Sequence, residues 1–179
     1  RDFAADRRGA GTARTLAPNV VAISSLTKVY GMGWARAGWI LAPPPIASIA
    51  GEALVHAVGH MGWAPAAAGA AALARIDTLM ARSEAALGDK LGRATRWVAR
   101  RADLEWIAPQ AGIFGLVRTR PARDVRALIA GPLAARGLLV ADGRFFDQPA
   151  AFRLGLALDS ALLDEALELL GAGLDADRM

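Results

Sequence analysis

The chain has no cysteine, and of its 21 lysines and arginines only Lys28 and Lys90 are lysine. Without cysteine there is no disulfide and no thiolate metal site, and a reducing compartment is the expected setting. A long apolar run is missing too: no stretch of about 18 uncharged apolar residues is present to read as a membrane-spanning helix. The best candidate, Ala37 to Val55, is interrupted by Pro43-Pro44-Pro45 and contains Glu52. The N-terminal residues show no secretion-signal pattern. A cytoplasmic protein without a membrane partner is therefore expected.

Other shortages exclude further classes. The two histidines, His56 and His60, are four apart, as in a zinc pair on a helix. The intervening Ala57-Val58-Gly59 lacks the glutamate of a metalloprotease, and no third ligand is suggested, so no metal is expected. Gly31-Met32-Gly33 fails the dinucleotide fingerprint, because Arg36 stands where its third glycine belongs. Ser24, Ser25 and Thr27 have no histidine in a recognisable triad context. The net charge of +4 and the pI near 10.6 raise the question of nucleic acid. The arginines, however, are scattered and lack interleaved aromatics. Arg93, Arg96, Arg100 and Arg101 fall at helical spacing and read as a solvated helix face, so no nucleic-acid partner is expected.

What is abundant is apolar. Hydrophobic residues make up 54% of 179 residues, and the mean hydropathy is +0.29. That suffices for a real core, and the excess reads as apolar faces that meet another domain or subunit. Strands are expected at Val20–Ser24 and Ala37–Leu41, with the triple proline stopping the second. Helices are expected at Ile46–Met61, at Trp63–Leu73 (short and buried), and at Asp77–Arg101, whose apolar stripe runs through Leu79, Ala86, Leu87, Leu91, Ala94 and Val98. Strands at Leu104–Ile107, Ile113–Arg118, Leu138–Ala141 and Phe152–Leu158 then alternate with helices at Val125–Arg136 and Ser160–Leu170, a small α/β domain. Residues 1–18 read as a polar, irregular entry.

Against this background a lysine in an arginine-using chain stands out. An amine can lose its proton and attack a carbonyl; a guanidinium cannot. Lys28 follows the apolar run Asn19–Ile23 and precedes Gly31-Met32-Gly33, with Ser25 three residues before it and Arg36 eight after. A hydroxyl, backbone amides and a guanidinium at a strand end make a phosphate cradle. An amine beside such a cradle is what pyridoxal phosphate requires. An ordinary surface lysine is the plain alternative.

The stretch Ser25-Leu26-Thr27-Lys28, then Tyr30-Gly31, then Arg36-Ala37-Gly38-Trp39, resembles the lysine segment of class I/II aminotransferases, which are fold-type-I pyridoxal-phosphate enzymes. Pro109-Gln110-Ala111-Gly112-Ile113-Phe114 is similar to the family's small-domain strand entry. Phe152-Arg153-Leu154-Gly155-Leu156-Ala157 is similar to the strand carrying its substrate-carboxylate arginine. The resemblance implies Lys28 as Schiff-base lysine and catalytic acid/base, with Ser25 and Arg36 as phosphate ligands. It implies Arg153 as the carboxylate ligand and Phe114 as a pocket wall, while Tyr30 packs the loop. Arg153 interrupts an apolar strand pattern where an unpaired charge is costly to bury; an exposed strand face is its plain alternative.

The implied fold is the end of a large-domain sheet (residues 1–82) followed by a small C-terminal α/β domain (83–179). The implied activity moves an amino group between an amino acid and a 2-oxo acid in a homodimer. A β-lyase, a decarboxylase, or the aminotransferase-like sensor domain of a winged-helix regulator remain open. The family's partners for the pyridine ring belong to a segment that precedes one like Arg1-Asp2-Phe3, and Asp2 and Asp6 fall after it. The chain is thus expected to be the C-terminal part of such an enzyme, inactive alone.

Overall fold

The computed structural model describes residues 12–60, 62–106, 108–109 and 112–177. Asp2, Asp6, Met61, Ile107, Gln110 and Ala111, which figure in the expectations above, lie outside them. The chain divides into two units, residues 1–86 and 87–179.

The first unit is built on a hairpin. Strand β1 (Ala22–Ser25) pairs antiparallel with β2 (Gly38–Leu41), in register from Ala22 opposite Leu41 to Ser25 opposite Gly38. Proline then does what its chemistry dictates. It cannot continue the ladder, but it suits the first helical turn, where its missing N–H is not needed. Helix α1 (Pro44–Val58) accordingly begins inside the proline run. It is followed by α2 (Trp63–Leu73) and α3 (Ile76–Leu87). Leu26, Tyr30, Ala72 and Met80 form the buried cluster, with Val29, Ala37 and Trp39 packed against it. Much of this unit's other apolar surface is open. Helix α1 buries none of its residues, and Ile23 and Trp34 are 75% and 71% exposed. Helix α2, expected to be buried, buries only Gly69 and Ala72. Its alanines carry no side chain long enough to seek a core, and Trp63 at its start is exposed.

The long helix expected over Asp77–Arg101 is two. Helix α3 ends at Leu87, Gly88 turns left-handed at φ +49°, and α4 (Lys90–Ala99) restarts. Glycine alone enters that region without a Cβ penalty, so Gly88 overrides an otherwise continuous apolar stripe. The stripe is shared out accordingly. Leu79 packs in the first unit's cluster, whereas Leu87, Leu91, Ala94 and Val98 pack in the second's.

The second unit carries a four-stranded antiparallel sheet. Its members are β3 (Leu104–Glu105), β4 (Phe114–Thr119), β5 (Ala141–Asp142) and β6 (Ala151–Gly155), in the order β3-β4-β6-β5. The expected helix at 125–136 forms in three pieces: α5 (Arg126–Leu128), a π-helical turn (Ile129–Leu133) and a 3-10 turn (Ala134–Arg136). Pro132 lies inside the π-turn; its absent N–H removes a rung, and its ring crowds the preceding turn, which widens the helix. Helix α6 (Ser160–Ala176) closes the unit. It runs six residues beyond the expected Leu170 and buries Leu163, Leu167, Leu170 and Leu174 against Val117, Phe152 and Leu154 of the sheet. Each buried leucine contributes about 1.5–3 kcal/mol. Arg101, only 17% exposed, bonds Asp103 and Asp175 and lies over the Trp97 ring. Burial alone would lower its pKa, but these two carboxylates raise it overall, so the guanidinium stays charged.

The alternation in β6 positions the site. Phe152 and Leu154 face the core, so Arg153 faces the other side of the sheet. Its register partners are Leu116 on β4 and Ala141 on β5.

Candidate functional site

Two groups of residues singled out in the sequence occupy the two units. In the first unit, Ser25, Lys28 and Arg36 all belong to the β1–β2 hairpin, whose loop is residues 26–37. The loop is closed by Leu26 N–H donating to Ala37 O at 3.0 Å, and folded inward by Met32 N–H to Leu26 O at 3.0 Å. Leu26, Tyr30 and Ala35 are buried and pin it to the cluster below. Lys28 and Arg36 are exposed. The apolar residues of the loop thus hold its two cations out. Tyr30 packs the loop, as expected.

Closure depends on Gly38. A Cβ there would stand 3.0 Å from Ser24 O and 3.3 Å from Ser25 Cβ. Ser25 Oγ, half-buried, accepts the Thr27 N–H at 3.3 Å, which fixes the hydroxyl at the strand end and leaves its proton to donate. Arg36 adopts a left-handed backbone at φ +46°, ψ +32°, a conformation costly for a side chain of its size. Its guanidinium makes one long bond, 3.4 Å, to Gly33 O. Among the described residues, neither Lys28 nor Arg36 forms an ion pair. Residues 26–37 contain no carboxylate. An ammonium, a guanidinium and an oriented hydroxyl without a counter-charge fit a phosphate-bearing carbonyl compound: two groups for the anion and an amine for the carbonyl.

In the second unit, Arg153 is half-buried on the open face of the sheet. Its guanidinium lies 5.0 Å from the centre of the Phe114 ring and 5.5 Å from that of Phe146, two cation–π contacts. Among the described residues, no carboxylate bonds it. It opens on a cavity of about 450 Å³ with mostly apolar walls. Phe114, expected as a pocket wall, is one of them. Phe146 and Trp106 are also walls, and the sequence did not single them out. Phe146 ends a short 3-10 turn (Gly143–Phe146) that Asp142 starts by accepting the Arg144 N–H at 2.9 Å. The available signal was Asp142-Gly143, a turn pair placing the following aromatics beside β6. Trp106 follows β3, and its ring lies over Gly115: a Cβ on that glycine would sit 2.4 Å from the ring. At the rim, Glu105 accepts Arg120 Nε–H at 2.5 Å, and Arg118 donates to Gln148 Oε1 at 2.9 Å. The hydrogen bond from Arg120 holds the Glu105 carboxyl below its usual range.

The histidine pair does not assemble a metal site. His56 and His60 are exposed, and no cluster of three or more possible metal ligands is found among the described residues. Nor is any helix of the described residues long and apolar enough to cross a membrane.

Comparison with known proteins gives the chain a family. Residues 4–170 match the family model "Aminotransferase class I and II". Among curated proteins, none matches the sequence. Solved structures do match. A pyridoxal-phosphate-dependent aminotransferase from Streptococcus suis superimposes with a TM-score of 0.79 at 22% identity, over 87% of this chain and 42% of that one. OvoB does so with 0.80 at 18% identity, over 97% and 47%. The α-aminoadipate aminotransferase LysN of Thermus thermophilus, in complex with N-(5'-phosphopyridoxyl)-L-leucine, gives 0.78 at 18% identity, over 91% and 43%. The chain thus spans less than half the length of these structures, whose mixed α/β fold it shares. It belongs to the class I and II aminotransferase family.

Proposed function

We propose that the protein transfers amino groups between an amino acid and a 2-oxo acid, with pyridoxal phosphate held at the β1–β2 loop. The observation that carries this reading is the pair of exposed cations, Lys28 and Arg36, without ion-pair partners among the described residues, on a loop that begins at the Ser25 hydroxyl. Ser25 and Arg36 hold the phosphate, Arg36 through a charge-assisted contact that its forked guanidinium can make bidentate. Lys28 holds the cofactor by its amine and, when the substrate amine takes its place, moves the α-proton as general acid/base. When bound, the cofactor supplies an electron sink for the pair left at Cα. Arg153 takes the substrate carboxylate. The Phe114 and Phe146 rings limit its movement and shield it from water, which strengthens the pairing. The first 82 residues are read as the cofactor-bearing part and the remainder as the small domain, and the complete protein as a homodimer.

The test is borohydride reduction of the full-length protein loaded with pyridoxal phosphate, followed by peptide mass mapping. The label is expected on Lys28. A label on Lys90, or none, would refute the assignment. Residues 1–179 alone, mixed with the cofactor and amino-donor and oxo-acid pairs, are expected to show no turnover.

A further inference from the structure

The open face of the second unit's sheet carries another guanidinium beside that of Arg153. On β4, Phe114, Leu116 and Arg118 alternate with the buried Gly115, Val117 and Thr119, so the first three share one face. Leu116 stands directly opposite Arg153, and Phe114 and Arg118 take the two diagonal positions. Diagonal neighbours have Cα atoms about 7–8 Å apart, within reach of long side chains. Phe114 uses its diagonal to lay a ring against the Arg153 guanidinium. Arg118 brings a like charge along the other, and both arginines line the same cavity of about 450 Å³.

Like charges so placed repel unless something answers them. The surrounding groups do not. Arg118 donates to Gln148 Oε1 at 2.9 Å, and an amide orients a guanidinium without neutralising it. Glu105 lies directly across from Arg118 on β3 and is the sole carboxylate among the described residues that line the cavity. Its charge is matched by Arg120, whose Nε–H donates to it at 2.5 Å. The guanidinium groups of Arg118, Arg120 and Arg153 thus face one carboxylate, and two positive charges are left over.

We infer that Arg118 is a specificity-determining residue: it receives a second anionic group at the far end of the substrate, which is a short dicarboxylate amino acid with its 2-oxo acid. This rests on the reading of Arg153 as the ligand of the first carboxylate. The two arginines are not interchangeable. Arg153 is half-buried and flanked by the Phe114 and Phe146 rings, which suits a fixed group. Arg118 is exposed and tethered by one amide, which suits a group whose reach varies with side-chain length. Leu116, on the same face, offers an aliphatic surface to the methylenes that join the two carboxylates.

The experiment titrates the full-length, cofactor-loaded protein calorimetrically with glutarate and with its monoamide, glutaramate. The two have nearly the same shape, differ by one charge and lack an amine to react. Glutarate is expected to bind about tenfold or more tightly, the worth of one charge-assisted contact. Arg118→Gln, on an exposed side chain, should cut glutarate affinity by about tenfold and glutaramate affinity by about twofold or less. Arg153→Leu should weaken both probes. Equal binding of the two probes by the parent protein, or a preference for glutarate that survives Arg118→Gln, would overturn the role of Arg118 while leaving that of Arg153 standing. If Arg153→Leu binds both probes as the parent protein does, the carboxylate reading fails, and the inference fails with it.

Discussion

Gly115→Ala tests the packing of the Trp106 ring against strand β4. A Cβ at this position would stand 2.4 Å from one Trp106 ring carbon and 2.7 Å from another. The first figure is about 1 Å short of the 3.4 Å at which ordinary contact begins. Strand β4 is held on both sides, by β3 and β6, so the ring must give way rather than the backbone. Overpacking of this kind costs roughly 1–3 kcal/mol. Opposing it, alanine is favoured over glycine within a strand by roughly 0.5–1 kcal/mol. The single mutant should therefore lose about 1–2 kcal/mol in denaturant unfolding. In a Trp106→Ala background the clash is gone, and the same substitution should become stabilising by about 0.5 kcal/mol or more. The coupling in the double-mutant cycle would then be about 2 kcal/mol. If Gly115→Ala has the same sign and size in both backgrounds, the ring does not rest on the glycine, and the account of this contact is wrong.

Three other outcomes are expected. Arg36→Ala should weaken cofactor binding in a spectroscopic titration and Arg153→Ala should weaken carboxylate binding, each by roughly 1.5–3 kcal/mol; equal effects of both on cofactor titration would contradict the division of roles. Gly88→Ala should lose about 1–2 kcal/mol on thermal unfolding, because alanine at φ +49° is strained whatever the space around it. The Arg120–Glu105 pair depresses the carboxyl, so its contribution to stability is present above the usual value of 4.5 and is lost as pH falls through the lowered folded value. The melting-temperature difference between the parent protein and Arg120→Ala should shrink on acidification, and a difference constant with pH would refute the pairing.

The Lys28 loop is legible from residue types and their spacing alone. The same local logic places both hairpin strands and the proline-led start of α1. It fails where a single backbone position outweighs a pattern. Gly88 divides a stripe that periodicity reads as one helix, and Pro132 widens a helix that propensity reads as regular. It fails again where contacts are remote in sequence. Arg153 is visible as a charge in an apolar strand, but Trp106 lies 47 residues before it on a different edge of the sheet. No local pattern encodes that a ring following β3 packs against Gly115 of β4. Phe146, seven residues before Arg153, is closer to reach, yet nothing in a Phe-Phe pair says which ring turns toward the guanidinium.

The scarcity of lysine has a practical consequence when joined to burial. Lys28 is exposed on its loop, whereas Lys90 is half-buried at the start of α4. Of the two lysine side chains in residues 1–179, an amine-directed acylating reagent at limiting dose thus meets Lys28 first. The reaction becomes a footprint, since any ligand that occupies the amine slows the tagging there and leaves the slower-reacting Lys90 as the internal standard.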